Sequence, residues 1–298
     1  MKASLALVSL SLAIGGASLH ATPLSSIAPD LIVPEVTSGE AAPGERVRAF
    51  LPEHAEAGTL YHLIYLPSDW TPDRPYPVIF EYPGNRYRTS PGTQEGCELG
   101  YGLSGGKGVI WVCLPFVNPE TGSHSPTWWG DVEATVAYAK AAVDHVCRTY
   151  GGNRDALFLA GFSRGAIACN YIGLHDDEIA TLWRAFFCHS HYDGVKKWNY
   201  PRSDPASAAE RLARLGSRAQ FVSHERSVEA TRSYLASAMP SGDFTFLSLP
   251  YQEHTANWTL RPVPEREILR NWFRRQVEAA APARKKRHEP THFPGSNL

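Results

Sequence analysis

The pentapeptide Gly161-Phe162-Ser163-Arg164-Gly165 holds a serine at the centre of a G-x-S-x-G pattern. An apolar run at residues 155–160 predicts a buried strand before it, and residues 166–172 predict a helix after it. A sharp strand-to-helix turn exposes the serine hydroxyl, and the flanking glycines let strand and helix approach without a Cβ clash. The pattern alone also fits an ordinary loop, but in this context it indicates a nucleophile at Ser163.

A histidine that could act with this serine is His254, which lies between the last predicted strand and a predicted terminal helix. The chain contains twelve histidines, so residue type alone selects none of them. The position after the final strand favours His254 as a general base, with the serine preceding the histidine along the chain.

Strands and helices alternate along the chain after a segment rich in Pro, Ser and Gly at residues 23–43. Apolar strand-like runs lie at residues 60–66, 76–82, 108–116, 155–160, 185–189, 219–223 and 244–249. Helical patterns lie at residues 129–150, 205–215, 227–238 and 264–278. This alternation predicts an α/β domain at residues 58–278, after an extended lead-in at residues 22–57. Its mostly parallel central sheet would be flanked by helices on both faces, with sites at the carboxyl ends of the strands.

Four local patterns together resemble the α/β-hydrolase superfamily: Tyr65-Leu66-Pro67, the Pro83-Gly84-Asn85 turn, the Gly-Phe-Ser-Arg-Gly elbow, and Glu253-His254 before a helix that follows Trp258. Within it the chain is most similar to secreted esterases of the feruloyl esterase and polyhydroxybutyrate depolymerase type. The likeness spans residues 58–278 in coarse pattern, and the elbow is its one sharp motif. It implies the α/β-hydrolase fold.

The resemblance implies that Ser163 attacks an acyl carbonyl while His254 removes its proton and later returns it to the leaving group. It also implies an oxyanion hole, with one donor from the amide of Arg164 and another from the loop after the strand that ends at Tyr82. Asn85 follows the Pro-Gly pair in that loop. The alternative for Asn85 is a simple turn in which its side chain serves its own backbone.

The acid that would orient His254 has three candidates. Members of the superfamily commonly place an aspartate after the strand that corresponds to residues 219–223, and the loop that follows it here contains none. Glu225 is nearest to the strand end and is the preferred acid. Asp193 follows the preceding strand and could instead line the substrate pocket, and Glu229 is the third candidate.

Aromatic side chains cluster in loops near the predicted strand ends, at Trp128-Trp129 and at Trp198-Asn199-Tyr200. Aromatic faces suit stacking on sugar rings or phenolic groups, although they more often anchor packing. Trp129 and Trp198 are therefore candidates for substrate binding, together with Asp193.

A metal site is suggested superficially by Cys188, His189, His191 and Asp193, which lie close together in the sequence. Alternation along a strand places the cysteine and the histidines on opposite faces, and two side chains are too few for a closed zinc site. We therefore expect no metal, and the chemistry implied by the elbow needs no other cofactor.

The first 21 residues combine a single Lys2 with an apolar stretch and small residues, which predicts a secretory signal peptide and a secreted or periplasmic protein. No later apolar run is long enough to span a bilayer. The net charge of −1 gives no general reason to bind nucleic acid. Residues 279–298 hold a basic cluster without hydrophobic periodicity, which predicts a disordered, solvated tail.

Five cysteines lie beyond this segment, and the odd number leaves at least one without an intrachain partner. An oxidising compartment permits disulfides, and Cys97 and Cys113 are the preferred pair because one precedes and the other ends a predicted strand. Cys169 lies in an apolar helical run and is expected to be a buried free thiol.

Together these patterns predict an exported serine esterase that forms an acyl-enzyme on a carboxylic ester, either an acyl group on a polysaccharide or a phenolic ester. The alternatives are a serine peptidase of the same superfamily and a non-catalytic secreted binding protein on a hydrolase scaffold. The missing aspartate favours the binding protein, whereas the presence of both Ser163 and His254 argues against it. The sequence leaves the oligomeric state open.

Overall fold

The computed structural model describes residues 23–87 and 90–280. The predicted signal peptide and the basic cluster of the predicted tail lie outside these residues. Nine strands within the described part form one sheet, in the order β1-β2-β3-β5-β4-β8-β9-β10-β11. Their bounds are β1 Val36–Thr37, β2 Arg46–Ala49, β3 His62–Tyr65, β4 Tyr76–Tyr82, β5 Ile110–Cys113, β8 Gly152–Phe162, β9 Ala185–His189, β10 Ala219–Glu225 and β11 Phe244–Leu249.

The sheet is mostly parallel, as the alternation of elements predicts. Strand β3 pairs antiparallel with both β2 and β5, and the other neighbouring pairs run parallel. A separate two-stranded antiparallel sheet is formed by β6 (Val117–Asn118) and β7 (Ser123–His124). The fold class expected from the sequence is therefore confirmed, with the carboxyl ends of β4, β8, β9, β10 and β11 at one edge.

Helices cover both faces of the sheet and give the protein two hydrophobic cores. Residues of α2 and α3 pack in one core, and residues of α1 and α7 pack in the other. The helices are α1 Leu99–Ser104, α2 Val132–Tyr150, α3 Arg164–Tyr171, α4 Asp177–Ala180, α5 Pro205–Leu212, α6 Glu229–Ala238 and α7 Pro264–Ala280. None of the helices in the described residues is long and apolar enough to cross a membrane.

The predicted elements differ from the observed ones mainly in two places. The sheet begins earlier than residue 58, because β1 and β2 lie within the segment expected to be an extended lead-in. The short helix α1 follows a loop and has no clear periodicity in the sequence. Its first amide groups are bound by the buried carboxylate of Glu81, which accepts hydrogen bonds from the amides of Glu98, Leu99 and Gly100.

All five cysteines are free thiols in the structure. The disulfide expected between Cys97 and Cys113 is therefore absent, although both thiols are buried, and burial and the neighbouring Cys113 thiol raise the pKa of Cys97. Cys169 is a buried free thiol, as expected.

The turn after β8 depends on two glycines that allow α3 to lie directly on the sheet. A Cβ built on Gly161 would collide with the backbone of Gly165, and one built on Gly165 would collide with the carbonyl of Tyr82. Neither neighbour is a flexible side chain that could move aside. The strand-to-helix turn can therefore form only if both positions lack a side chain.

We expect Gly161→Ala and Gly165→Ala to lower the free energy of unfolding by at least about 1–3 kcal/mol, because the added methyl group overpacks a backbone contact. Urea denaturation would measure the change. Gly84→Ala is the matched control, since its Cβ would lie 3.4 Å from the nearest atom, an ordinary contact. Equal stabilities for the three variants would contradict the close-approach argument.

Candidate active site

Ser163 lies at the junction of β8 and α3 in a strained conformation, with φ 56° and ψ −116°. Positive φ is unfavourable for a residue with a Cβ and persists only where the surroundings impose it. Here the serine amide donates to the carbonyl of His189 at the end of the neighbouring strand β9, at 3.0 Å. The turn therefore lifts the Ser163 hydroxyl above the carboxyl ends of the strands.

His254 and Glu225 complete a continuous hydrogen-bonded chain to this hydroxyl. His254 lies in the loop after β11, and its Nε2 is 3.1 Å from Ser163 Oγ. Its Nδ1 is 2.6 Å from Oε1 of Glu225, the last residue of β10. Burial raises the pKa of Glu225, but the hydrogen bond with His254 and other interactions outweigh it and bring the pKa to about 2. The carboxylate is therefore charged at neutral pH.

The other two acid candidates do not reach His254. Glu229 begins α6 and forms an exposed ion pair with Arg232. Asp193 is buried and forms a bidentate ion pair with Arg211, whose Nε and Nη2 donate to Oδ2 at 2.9 Å and to Oδ1 at 3.1 Å. Its expected role as a residue that lines the substrate pocket is wrong, because its carboxylate is 1% exposed and faces an arginine of α5.

The two segments expected to supply the oxyanion donors both lie next to Ser163. Arg164 is the first residue of α3, where the amide has no acceptor within its own helix. The loop after β4 lies against the elbow, since a Cβ on Gly84 would be 3.5 Å from that of Ser163. The Asn85 side chain accepts a hydrogen bond from the amide of Trp128 at 2.9 Å, so it fixes this loop to the next one.

The side chain of Arg164 connects these loops through hydrogen bonds to their backbone carbonyls. Its guanidinium is 1% exposed and donates to five backbone carbonyls, those of Pro83, Gly84, Gly92, Ser125 and Trp128. It also lies 4.0 Å from the ring centroid of Phe116. Burial lowers the pKa of Arg164 to about 9, so the group remains charged at neutral pH. Nothing in the G-x-S-x-G pattern indicates this role, because the carbonyls come from distant segments.

Ser190 and His191, the two residues after β9, contact the catalytic candidates, although the sequence pattern did not mark them as site residues. His191 Nδ1 lies 3.3 Å from Ser163 Oγ, and Ser190 Oγ lies within hydrogen-bonding distance of Glu225 and His254. Burial lowers the pKa of His191 to about 4, which keeps its imidazole neutral. The only available signal was position, because these residues follow the strand next to the elbow strand.

An aromatic cluster lies beside His191. The ring of Trp198 is 5.2 Å from that of His191 and 5.6 Å from that of Trp128, and both tryptophans are half-buried. The expectation that Trp129 binds substrate is wrong, because this side chain is 3% exposed and stacks on Tyr171 in the core. Trp128, which precedes it at a φ of 50°, takes the surface position instead.

The hydrogen bonds that join Glu225, His254 and Ser163 can support acyl transfer. Ser163 can attack a carbonyl carbon, His254 can accept its proton, and Glu225 can hold the imidazole with Nδ1 protonated. Within residues 23–87 and 90–280, no group of three or more His, Cys, Asp or Glu side chains is arranged to bind a metal ion.

No protein-family profile matches the chain, and no curated protein matches it in sequence. Solved structures do resemble it. A mutant of the feruloyl esterase module from Clostridium thermocellum, complexed with sinapinate, shares 17% identity at a TM-score of 0.51 and covers 74% of this chain and 86% of its own. A structure from the analysis of two fungal esterases of Rhizomucor miehei has the same identity and TM-score, and covers 74% of this chain and 80% of its own. This likeness establishes the fold, and the chain has the α/β-hydrolase fold.

We expect Arg164→Met to lower the free energy of unfolding by about 1–3 kcal/mol or more, because buried carbonyls lose their donors. Arg164→Lys should fall between Met and the wild type, since a lysine cannot reproduce the planar fork. Arg148→Met, which removes an exposed ion pair of α2, is the control for urea denaturation. If Arg164→Met is as stable as this control, the guanidinium does not hold the loops.

Proposed function

We propose that this protein is a serine esterase that hydrolyses carboxylic esters through an acyl-enzyme intermediate. The observation that carries the proposal is the hydrogen-bonded chain from Glu225 through His254 to Ser163, which ends on a strained turn. A surface serine and histidine meeting by chance would need neither the strain nor a buried carboxylate.

The proposed reaction proceeds in two displacements. Ser163 Oγ attacks the ester carbonyl carbon as His254 Nε2 takes its proton, and the amide of Arg164 donates to the oxyanion. The tetrahedral intermediate expels the alcohol, which receives the proton from His254, and leaves an acyl group on Ser163. Water then attacks the acyl carbon while His254 takes its proton, the bond to Ser163 Oγ breaks, and the proton passes to Ser163 as the carboxylic acid leaves.

The substrate in this proposal is an acyl group on a polysaccharide or a phenolic ester. The half-buried rings of Trp128 and Trp198 lie near the nucleophile, where they could stack on a planar or sugar group. The Clostridium thermocellum module with the same fold is a feruloyl esterase complexed with sinapinate, an observation about that protein that favours phenolic esters here.

Export belongs to the same proposal and rests on the first 21 residues of the sequence. A secreted or periplasmic enzyme would meet extracellular esters directly. N-terminal sequencing of the protein recovered outside the cytoplasm would test this part, and an intact N-terminus on cytoplasmic protein would contradict it.

The purified enzyme should hydrolyse at least one of acetyl, butyryl, feruloyl and 3-hydroxybutyryl esters, and a fluorophosphonate probe should label it. Ser163→Ala should lose both ester hydrolysis and labelling, because only an activated serine forms the covalent adduct. Ser68→Ala, which changes an exposed serine after β3, should retain both. Labelling of Ser163→Ala equal to that of the wild type would refute the nucleophile, and a folded wild type without labelling or turnover would favour a binding protein.

A further inference from the structure

Ser190 combines burial with a backbone conformation that serine normally avoids. It follows the last residue of β9 with φ 82°, and its side chain is 1% exposed. Glycine adopts this conformation without steric cost, so a serine here requires a compensating interaction. Two other non-glycine residues with positive φ, Ser163 and Trp128, also lie at the candidate active site.

The hydroxyl of Ser190 lies between the proposed acid and the proposed base. It donates to Glu225 Oε1 at 3.0 Å, and its oxygen is 2.9 Å from Nδ1 of His254. A hydroxyl can donate and accept at the same time, so Ser190 can donate to the carboxylate and accept part of the hydrogen bond from the imidazole. Alanine and glycine can do neither.

The remaining environment of Glu225 makes this contact important. Oε1 takes the hydrogen bonds from both His254 and Ser190, whereas Oε2 is buried with no hydrogen-bond partner. The contact of Oε2 with His224 Nδ1 is 3.7 Å, too long for a hydrogen bond, so the side-chain hydrogen bonds to the carboxylate all fall on Oε1. Removal of the Ser190 hydroxyl would leave His254 as the one side chain hydrogen-bonded to the carboxylate, which could then rotate away from Nδ1 more easily.

We propose that Ser190 is a positioning residue that extends the Glu225-His254-Ser163 chain to a network of four side chains, and that it acts through Glu225 on the imidazole. The inference rests on the proposed function. It explains why a buried serine occupies a left-handed position at the end of β9, where glycine would be less strained.

Ser190→Gly tests the proposal most directly, because it removes the hydroxyl and relieves the backbone strain together. We expect kcat to fall by about 10- to 100-fold, the range for loss of a hydrogen bond to a charged group, with KM unchanged within about twofold. The rate of fluorophosphonate labelling should fall in parallel, while Tm stays the same or rises. Ser190→Ala should show the same kinetic loss with the strain retained.

Ser223→Ala is the matched control, since this buried serine of β10 bonds His189 and not the proposed acid or base. Its kcat should match that of the wild type. The decisive comparison repeats Ser190→Gly in a Glu225→Gln background. If Ser190 acts through Glu225, Ser190→Gly should lower kcat by a much smaller factor in the Glu225→Gln background than in the wild type.

Three results would count against the role of Ser190. Wild-type kcat and labelling in Ser190→Gly would refute it, as would an equal fold-loss in both backgrounds. A loss of kcat accompanied by a fall in Tm in Ser190→Gly, but absent from Ser190→Ala, would indicate a structural role instead. An inactive, unlabelled wild type would overturn the esterase proposal along with this one, whereas an active wild type with a fully active Ser190→Gly overturns this one alone.

Discussion

The contact between α3 and the sheet at Gly161 and Gly165 is the constraint on which the site depends. Because neither residue has a side chain, the helix begins directly above the end of β8, and the chain must reverse within a single residue. Ser163 occupies that reversal at positive φ, and its amide is bound by the carbonyl of His189 on the adjacent strand. The free energy that keeps the serine strained comes from the cores on both faces of the sheet.

The order of the strands then determines which other residues can meet Ser163. Strands β8, β9, β10 and β11 are consecutive neighbours, and they run parallel. Parallel neighbours end at the same edge, so the residues that follow each of them converge there. Ser163, Ser190, Glu225 and His254 come from these four successive strand ends. One topological feature therefore assembles a network from residues 91 positions apart in the chain.

Buried charge is placed at this edge with few compensating charges. The guanidinium of Arg164 is surrounded by carbonyl dipoles instead of a carboxylate, and burial lowers its pKa to about 9. Glu225 faces His254 with a pKa of about 2, while burial keeps the neighbouring His189 and His191 neutral with pKa values of about 4. At neutral pH the carboxylate therefore faces His254 without a competing imidazolium on either histidine. Burying such charges lowers the free energy of unfolding. The same fixed dipoles and charges are typical of a preorganised active site.

The sequence by itself determined the elements and the residues marked by local pattern. The strand bounds Tyr76–Tyr82, Ala185–His189 and Phe244–Leu249 follow from apolar runs, and the expected positions of Ser163, His254 and Glu225 follow from turns and strand ends. Only the tertiary structure decided that Asp193 pairs with Arg211, that Trp129 is buried beneath Trp128, and that Ser190 and the side chain of Arg164 join the site. Strand and turn patterns are read over a few neighbouring residues, whereas a side chain's burial and partners depend on segments that are distant along the chain and become neighbours only when the sheet and its covering helices pack.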